Sequence, residues 1–385
     1  MKKIRILTFY WTVNFGGLLQ AHALQEYLKK EGYDVEFINY HNKNDISKSI
    51  GFKKRVVHFV WDKLARFLFG RAKREKITQK FRNEELNISP HACHTIEKLI
   101  DIESKEPAYA YIVGSDQVWN PEITGKLEAY LFSFLNDNSK RISYAASFGR
   151  ASLESKHQTT FKNEIVKFSA VSVREEDGAK LIEKLSGIDA EVVMDPVFLM
   201  PKEYWHRFAC ERIVKKDYIL CYFMNTADKS IHIGIKKIAN YLSNKYGLKI
   251  VNIGKREYER LRFWENNIFD IGPKEFVSLF KHASFVVTNS FHATAFSTIM
   301  NVPFLVPVNY NEDEKFRMSN RMENLVKNLG CEERIISCPI NEDNICDKID
   351  RLESMDFSTV ESKKEVLVSK SKEFLDLALK GEDRI

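Results

Sequence analysis

Asn289-Ser290-Phe291-His292-Ala293 places a titratable imidazole where the apolar run Phe285 to Thr288 gives way to a helical pattern. Asn289 or Ser290 can cap that helix, which puts His292 in a first turn rich in amide donors. Such a turn can dock a phosphate, and a histidine titrating near neutrality can donate to it or move a proton. The plainer alternative is a structural histidine. Ser172-Val173-Arg174-Glu175 also follows a β-rich run. There the planar fork of Arg174 can hold a carboxylate or phosphate with two hydrogen bonds, against the alternative of a surface pair with Glu175 or Glu176.

Gly114-Ser115-Asp116-Gln117-Val118-Trp119-Asn120 combines polar side chains with an indole, which suits a sugar. Trp119 would stack on the ring and Asp116 would take a proton from a hydroxyl; otherwise Asp116 caps a turn and Trp119 is core. Asn14-Phe15-Gly16-Gly17 with Leu19-Gln20-Ala21 sits where a first strand meets its helix, so Asn14, Gly17 and Gln20 can flank a bound anion. The stretch lacks the G-x-G-x-x-G spacing of dinucleotide folds, and an ordinary tight turn is the rival reading. Lys315 adds a candidate cation on a late loop. His91-Ala92-Cys93-His94 has ligand-type residues without a partner cluster, so no metal is expected.

The elements that must position these residues follow from periodicity. Strands are expected at Ile4 to Tyr10, Val35 to Tyr40, Tyr109 to Gly114, Arg141 to Ala146, Ala170 to Val173 and Glu191 to Met194. After Asp195-Pro196 and Met200-Pro201 the alternation restarts, with strands at Tyr218 to Met224, Lys249 to Gly254, Phe285 to Thr288 and Pro303 to Val308. Strands alternating with helices predict an α/β chain of two Rossmann-like domains facing a cleft, residues 1–200 and 201–360. A terminal helix within 361–385 should pack across both. Ligands of such folds gather at the loops after the strands, where every candidate above lies.

Composition narrows the partners. The 385 residues carry a net charge of only +6, too mild for a dedicated nucleic-acid binder. Residues 51–82 hold eleven Lys or Arg against Asp62 and Glu75, so the positive surplus is local. This stretch, inside a basic helical insertion at about 46–100, fits an anionic membrane surface or a lipid diphosphate, or else a helix with a core-facing stripe. The six cysteines show no CxxC pair and read as reduced thiols. Met1 to Val13 mimics a signal peptide, but the Asn14 to Gly17 turn favours a strand and helix. A cytoplasmic protein, peripheral at the inner membrane face and without a transmembrane span, is the expectation.

Taken together, Asn14-Phe15-Gly16-Gly17, Gly114 to Asn120 with Ser143 to Gly149, Ser172 to Glu175 with Asp195-Pro196, and Ser290-Phe291-His292 resemble the polysaccharide pyruvyl transferase family. Asn320-Arg321 leading into Leu325 to Gly330 extends the likeness, which spans roughly residues 4 to 331. The resemblance implies a GT-B-like fold and transfer of pyruvate from phosphoenolpyruvate to a sugar as a ketal, on a cell-surface polysaccharide or its lipid-linked precursor. It implies no cofactor. It also implies donor-binding roles for Arg174, His292 and Lys315, with Ser290, Phe291 and Arg321 beside them. The basic insertion departs from the family pattern. Two rivals are a sugar-nucleotide glycosyltransferase on the same architecture and a noncatalytic anion or nucleic-acid binder. The first would want a ribose-binding carboxylate, and no Asp or Glu lies between Glu275 and Glu312.

Overall fold

The computed structural model describes residues 1–41, 71–224, 229–254, 267–310, 320–340, 346, 349–350 and 355–381. Lys315 and residues 51–70 of the basic stretch lie outside the described residues.

The first half contains β1 (Lys3–Leu7), α1 (Phe15–Lys30), β2 (Asp34–Phe37), α2 (Arg71–Glu85), α3 (Ile96–Lys105), β3 (Ala110–Val113) and α4 (Pro121–Thr124). It continues through β4 (Arg141–Ala146), α5 (Ser155–Ile165), β5 (Ala170–Val173), α6 (Glu176–Ser186) and β6 (Glu191–Val192). The second half runs α7 (Lys202–Phe208), β7 (Tyr218–Tyr222), α8 (Lys229–Tyr246), β8 (Lys249–Ile253), β9 (Asn267–Ile268), α9 (Pro273–Lys281) and β10 (Phe285–Thr288). Then come α10 (Phe291–Met300), β11 (Phe304–Val308), α11 (Asn320–Asn328), β12 (Ile335–Ser337) and α12 (Phe357–Lys380).

Each half builds one six-stranded sheet, in the orders β2-β1-β3-β4-β5-β6 and β12-β11-β10-β7-β8-β9. Every strand pair is parallel. Parallel sheets covered on both faces require apolar runs rather than alternation, and β3, β4, β7, β10 and β11 are buried throughout. The first strand stops at Leu7, short of the expected Tyr10. Its partner β3 ends at Val113, and beyond that point the Thr8 hydroxyl donates to the Ser115 carbonyl at 2.9 Å, so side chains take over the pairing.

One hydrophobic cluster runs from α1 and β1 through Trp205 to α9 and α10, so the inner helices of both halves share a core. Phe15 of α1 meets Phe276 of α9 at 5.2 Å between ring centroids. Separate clusters line the outer faces of the two sheets. The long α12 returns to the first half: Ser371 Oγ accepts from Met194 N at 2.9 Å, and the Leu379 carbonyl accepts from Tyr109 and Lys140 at 2.6 and 2.9 Å.

The described part of the basic stretch is α2, and its Lys73, Arg74 and Arg82 are engaged within the chain, whereas Lys76 and Lys80 are exposed. Arg74 Nη2 donates to the Gly254 carbonyl at 2.7 Å, Lys73 pairs with Asp270 at 3.2 Å, and Arg82 donates to the Trp11 and Thr12 carbonyls. These residues tie the loop before α1 to the second half. They are not a free basic face. No described helix is long and apolar enough to cross a membrane.

Candidate active site

Open parallel sheets leave a crevice where strand order reverses, because successive crossover helices there leave on opposite faces. In the first sheet that point lies between β1 and β3, and in the second between β7 and β10. The loops Asn14–Gly17, Gly114–Asp116 and Asn289–His292 leave from these strand ends, and Arg174 follows β5.

At the start of α1, Asn14 Oδ1 accepts from Gly16 N at 3.1 Å and caps the helix. A Cβ on Gly16 would stand 2.2 Å from His292 Nδ1, so only the bare backbone lets the imidazole of α10 lie against α1. At Gly17 a Cβ would stand 3.3–3.5 Å from the Phe9 carbonyl, Thr12 and Asp116, a snug but sterically allowed fit. No side chain caps α10: Ser290 N bonds to Thr288 Oγ1, while Asn289 is spent on the Met224 backbone. The expected Asn289 or Ser290 cap is therefore absent, and the first-turn amides of α10 remain available to an anion.

Asp195 joins the two halves electrostatically. Its Oδ2 accepts from Arg174 Nη1 at 2.9 Å and Ser115 Oγ at 3.1 Å, and faces His292 Nε2 at 3.6 Å. Burial alone would raise this carboxyl, but His292 and then Arg174 outweigh it and hold Asp195 well below the usual carboxylate range. Arg174 in turn donates from Nε to Glu175 at 3.1 Å, and Glu175 accepts from Ser147 at 3.0 Å. Burial works against the guanidinium charge, and Glu175, Asp195 and Asp116 more than restore it. Phe291 carries the guanidinium on its ring face at 4.3 Å.

The remaining nitrogen of Arg174, Nη2, is buried without a hydrogen-bond partner, 3.9 Å from Asp116 Oδ1. His292 Nε2 and Arg321 Nε are likewise unpartnered. Burial and then repulsion from Arg174 lower the pKa of Arg321. Arg174 Nη2, after β5, and Arg321 Nε of α11 thus lack acceptors where the two halves meet, and His292 Nε2 of α10 has only Asp195 before it. Their charge is nearly balanced by Asp116, Asp195 and Glu175, so anion affinity here rests on directed donors rather than on net positive charge.

Two expectations of ligand contact need correction. Trp119 is fully buried between Phe148 and Phe161, and its Nε1 donates to the Tyr130 carbonyl at 3.1 Å, so it is core and offers no face to a sugar. Gln20 is fully buried and saturated: its Nε2 donates to Thr8 and Gly17, and its Oε1 accepts from Ser115 N. It braces the β1 and β3 loops and binds no ligand. Arg174 does pair with Glu175, but in the interior rather than on the surface.

Asp116 sits at a positive φ of 73° with Oδ1 accepting from its neighbour Gln117 N. Cys93 is buried, and His94 Nδ1 meets the His41 carbonyl at 2.7 Å. Among the described residues no group of three or more His, Cys, Asp or Glu is placed to hold a metal ion. Sequence reading missed Asp195 and Gly16 as site residues. Asp195 was visible as one half of a chain-breaking Asp-Pro pair, a signal that marks a turn as readily as a site.

Comparison with known proteins follows the same outline. A model of the polysaccharide pyruvyl transferase family matches residues 14–312, which include Arg174, Asp195 and His292. Among solved structures, Arabidopsis thaliana UGT89C1 complexed with UDP-L-rhamnose superposes with a TM-score of 0.55 at 8% identity, covering 99% of this chain and 98% of that one. UDP-GlcNAc 2-epimerase from Neisseria meningitidis gives 0.53 at 10%, covering 97% and 100%. UDP-GlcNAc 2-epimerase from Methanocaldococcus jannaschii gives 0.50 at 15%, again covering 97% and 100%. At these identities the likeness shows the fold alone, and it is the GT-B fold of glycosyltransferases and epimerases. No curated protein matches the chain.

Proposed function

We propose, for a chain that belongs to the polysaccharide pyruvyl transferase family, that it moves pyruvate from phosphoenolpyruvate onto two hydroxyls of a sugar, forming a ketal. The acceptor is a cell-surface polysaccharide or its lipid-linked precursor. The observation that carries this reading is the pair of unpartnered guanidinium nitrogens, Arg174 Nη2 and Arg321 Nε, beside an uncapped helix start. A small doubly anionic acid satisfies both.

In this reading the donor phosphate lies at the start of α10 beside His292, and the carboxylate meets the free edge of Arg174, with Arg321 and Lys315 adding charge. His292, braced by Asp195 at its Nε2 edge, gives a proton from Nδ1 to the enol methylene, which leaves an oxocarbenium-like carbon. A sugar hydroxyl attacks that carbon and yields its proton to Asp116. Phosphate departs with the carbon–oxygen bond electrons, and a second hydroxyl closes the ring, its proton passing to the departing phosphate. The chemistry needs no cofactor.

A nucleotide-sugar transferase on the same fold is the second reading, since the superposed proteins include enzymes solved with UDP. The lack of any Asp or Glu between Glu275 and Glu312 counts against it, because the one carboxylate facing His292, Asp195, is engaged by Arg174 and Ser115 rather than free for ribose hydroxyls. Calorimetry with phosphoenolpyruvate beside UDP-sugars separates the two. Phosphate release and mass gain on a panel of glycosides should follow phosphoenolpyruvate, and His292→Ala should abolish them. Tight UDP-sugar binding without phosphoenolpyruvate binding would replace this reading.

The basic segment, residues 51–82, holds the enzyme at the cytoplasmic membrane face near lipid-linked acceptors, with the exposed Lys76 and Lys80 of α2 among its charges. Flotation with anionic liposomes tests this, and equal recovery after neutralising those charges would refute it.

A further inference from the structure

Asp195 links Arg174 to His292, so whatever holds Asp195 bears on the chemistry. The strand that delivers it, β6, is only two residues long, and beyond it Val193 N donates to the Val173 carbonyl at 2.9 Å. Met194 then leaves the sheet one position before the carboxylate. Both of its backbone groups are satisfied by side chains instead. Its N–H donates to Ser371 Oγ and its carbonyl accepts from the Tyr144 hydroxyl, each at 2.9 Å.

Tyr144 lies on β4 and Ser371 on α12, and both are fully buried. The Ser371 hydroxyl spends its proton on the Leu367 carbonyl of its own helix at 2.7 Å, which leaves its lone pairs for Met194. Burial, and then the charge of Asp195, raise the Tyr144 phenol well above its usual pKa and keep it a neutral donor. Buried backbone groups are costly to leave unpaired, so these two bonds constrain where the chain enters Asp195. At Asp195 itself Oδ1 accepts from Val197 N at 3.2 Å, and Oδ2 is the oxygen that faces Arg174, Ser115 and His292. A shift of the Met194 peptide would carry that oxygen away from its partners.

We propose that Ser371 is a positioning residue for pyruvyl transfer: through the Met194 backbone, with Tyr144 as its counterpart, it aims Asp195 at Arg174 and His292. Ser371 lies outside residues 14–312, the part matched by the family model. The same helix is tied to the first half a second time, where the Tyr109 hydroxyl donates to the Leu379 carbonyl at 2.6 Å. That tie docks α12 through the residue before β3 rather than through Met194, so it separates helix docking from the aiming of Asp195. The kinetic part of the proposal rests on the pyruvyl-transfer reading.

The test compares variants of the full chain. Ser371→Ala and Tyr144→Phe should each lower kcat for phosphoenolpyruvate-dependent transfer about tenfold or more. The KM for phosphoenolpyruvate should change less, because Arg174 keeps its bond to Glu175. Ser371→Thr retains the hydroxyl and should stay within about threefold of the parent, and Tyr109→Phe should leave kcat unchanged. A second readout needs no activity. Against burial, His292 and Arg174 hold the Asp195 carboxyl below its usual range, with Ser115 and the neutral Tyr144 beside it. That depression stabilises the fold above about pH 3.9 and is lost as the pH falls. Urea unfolding between about pH 5 and pH 2 should show a flatter loss in Ser371→Ala and the parental slope in Tyr109→Phe. A parental slope in Ser371→Ala, or a kcat loss in Tyr109→Phe as large as in Ser371→Ala, would overturn the proposal. A parent chain that transfers no pyruvyl group would instead end the functional reading, and a flattened slope in Ser371→Ala would still uphold the link to Asp195.

Discussion

Two buried arginines in the first half face opposite demands. Arg5 on β1 is nearly inaccessible, and its donors are taken: Nε by Glu36 at 3.0 Å, Nη1 by Glu103 at 2.6 Å and by the Glu106 carbonyl at 2.7 Å, with Glu106 Oε2 3.5 Å from Nη2. Arg174 on the loop after β5 is as deeply placed, yet keeps Nη2 unpartnered and has a second unpaired guanidinium, Arg321, for a neighbour. A closed network fixes a fold, whereas an open one holds a place for something absent from the chain.

That contrast is sharpest in the arginines themselves. Arg174→Lys keeps the charge but loses the fork, and should lower kcat/KM by ~10²–10³-fold while the protein stays folded. Arg5→Ala should instead destabilise the fold by about 3–5 kcal/mol, leaving buried Glu103 uncompensated, with activity per folded molecule unchanged. Steady-state kinetics beside denaturant unfolding reads both. An Arg5 variant that loses catalysis at full stability would erase the distinction.

Gly16→Ala comes next. Its Cβ would occupy the space of the His292 ring, and overpacking of this kind costs about 1–3 kcal/mol. If His292 moves to relieve it, turnover should fall about tenfold or more, and unchanged kinetics would show that the ring position is not critical.

Arg321→Gln should raise the KM for phosphoenolpyruvate about tenfold, yet leave the thermal midpoint equal or higher. Removing an unpaired cation relieves its burial and its repulsion from Arg174. A lower midpoint would mean that Arg321 serves the fold, as Arg5 does.

The smallest effect is in acid. A carboxyl depressed by folding contributes stability above its unfolded value, about 3.9 for Asp, and loses it as the pH falls further. Asp195 is such a group, whereas burial raises Glu103 despite Tyr111 and Arg5, so Glu103 contributes in the opposite direction. Asp195→Asn should therefore flatten the loss of stability between about pH 5 and pH 2 in urea titrations. An unchanged slope would remove Asp195 from the account.

Much of this was legible in the residues. Arg141 to Ala146, Ala170 to Val173 and Phe285 to Thr288 are strands with the bounds read from their β-rich runs, and His292 does lie in the first turn of its helix. Trp119 misled because an indole in a polar stretch looks like a ligand platform until Phe148 and Phe161 are packed on it. Gln20 misled in the same way, since Thr8 and Ser115, two of its three partners, come from the loops after β1 and β3.

Local pattern by itself determined the alternation of strands and helices and the strand-end placement of the polar residues, because these depend on neighbours a few positions away. Tertiary structure alone decided that Asp195 bridges Arg174 to His292, that Gly16 yields space to an imidazole from the other half, and that Arg174 and Arg321 stand together without enough acceptors. Those relations join residues far apart in the chain, and only the shared core of α1, α9 and α10 brings them together.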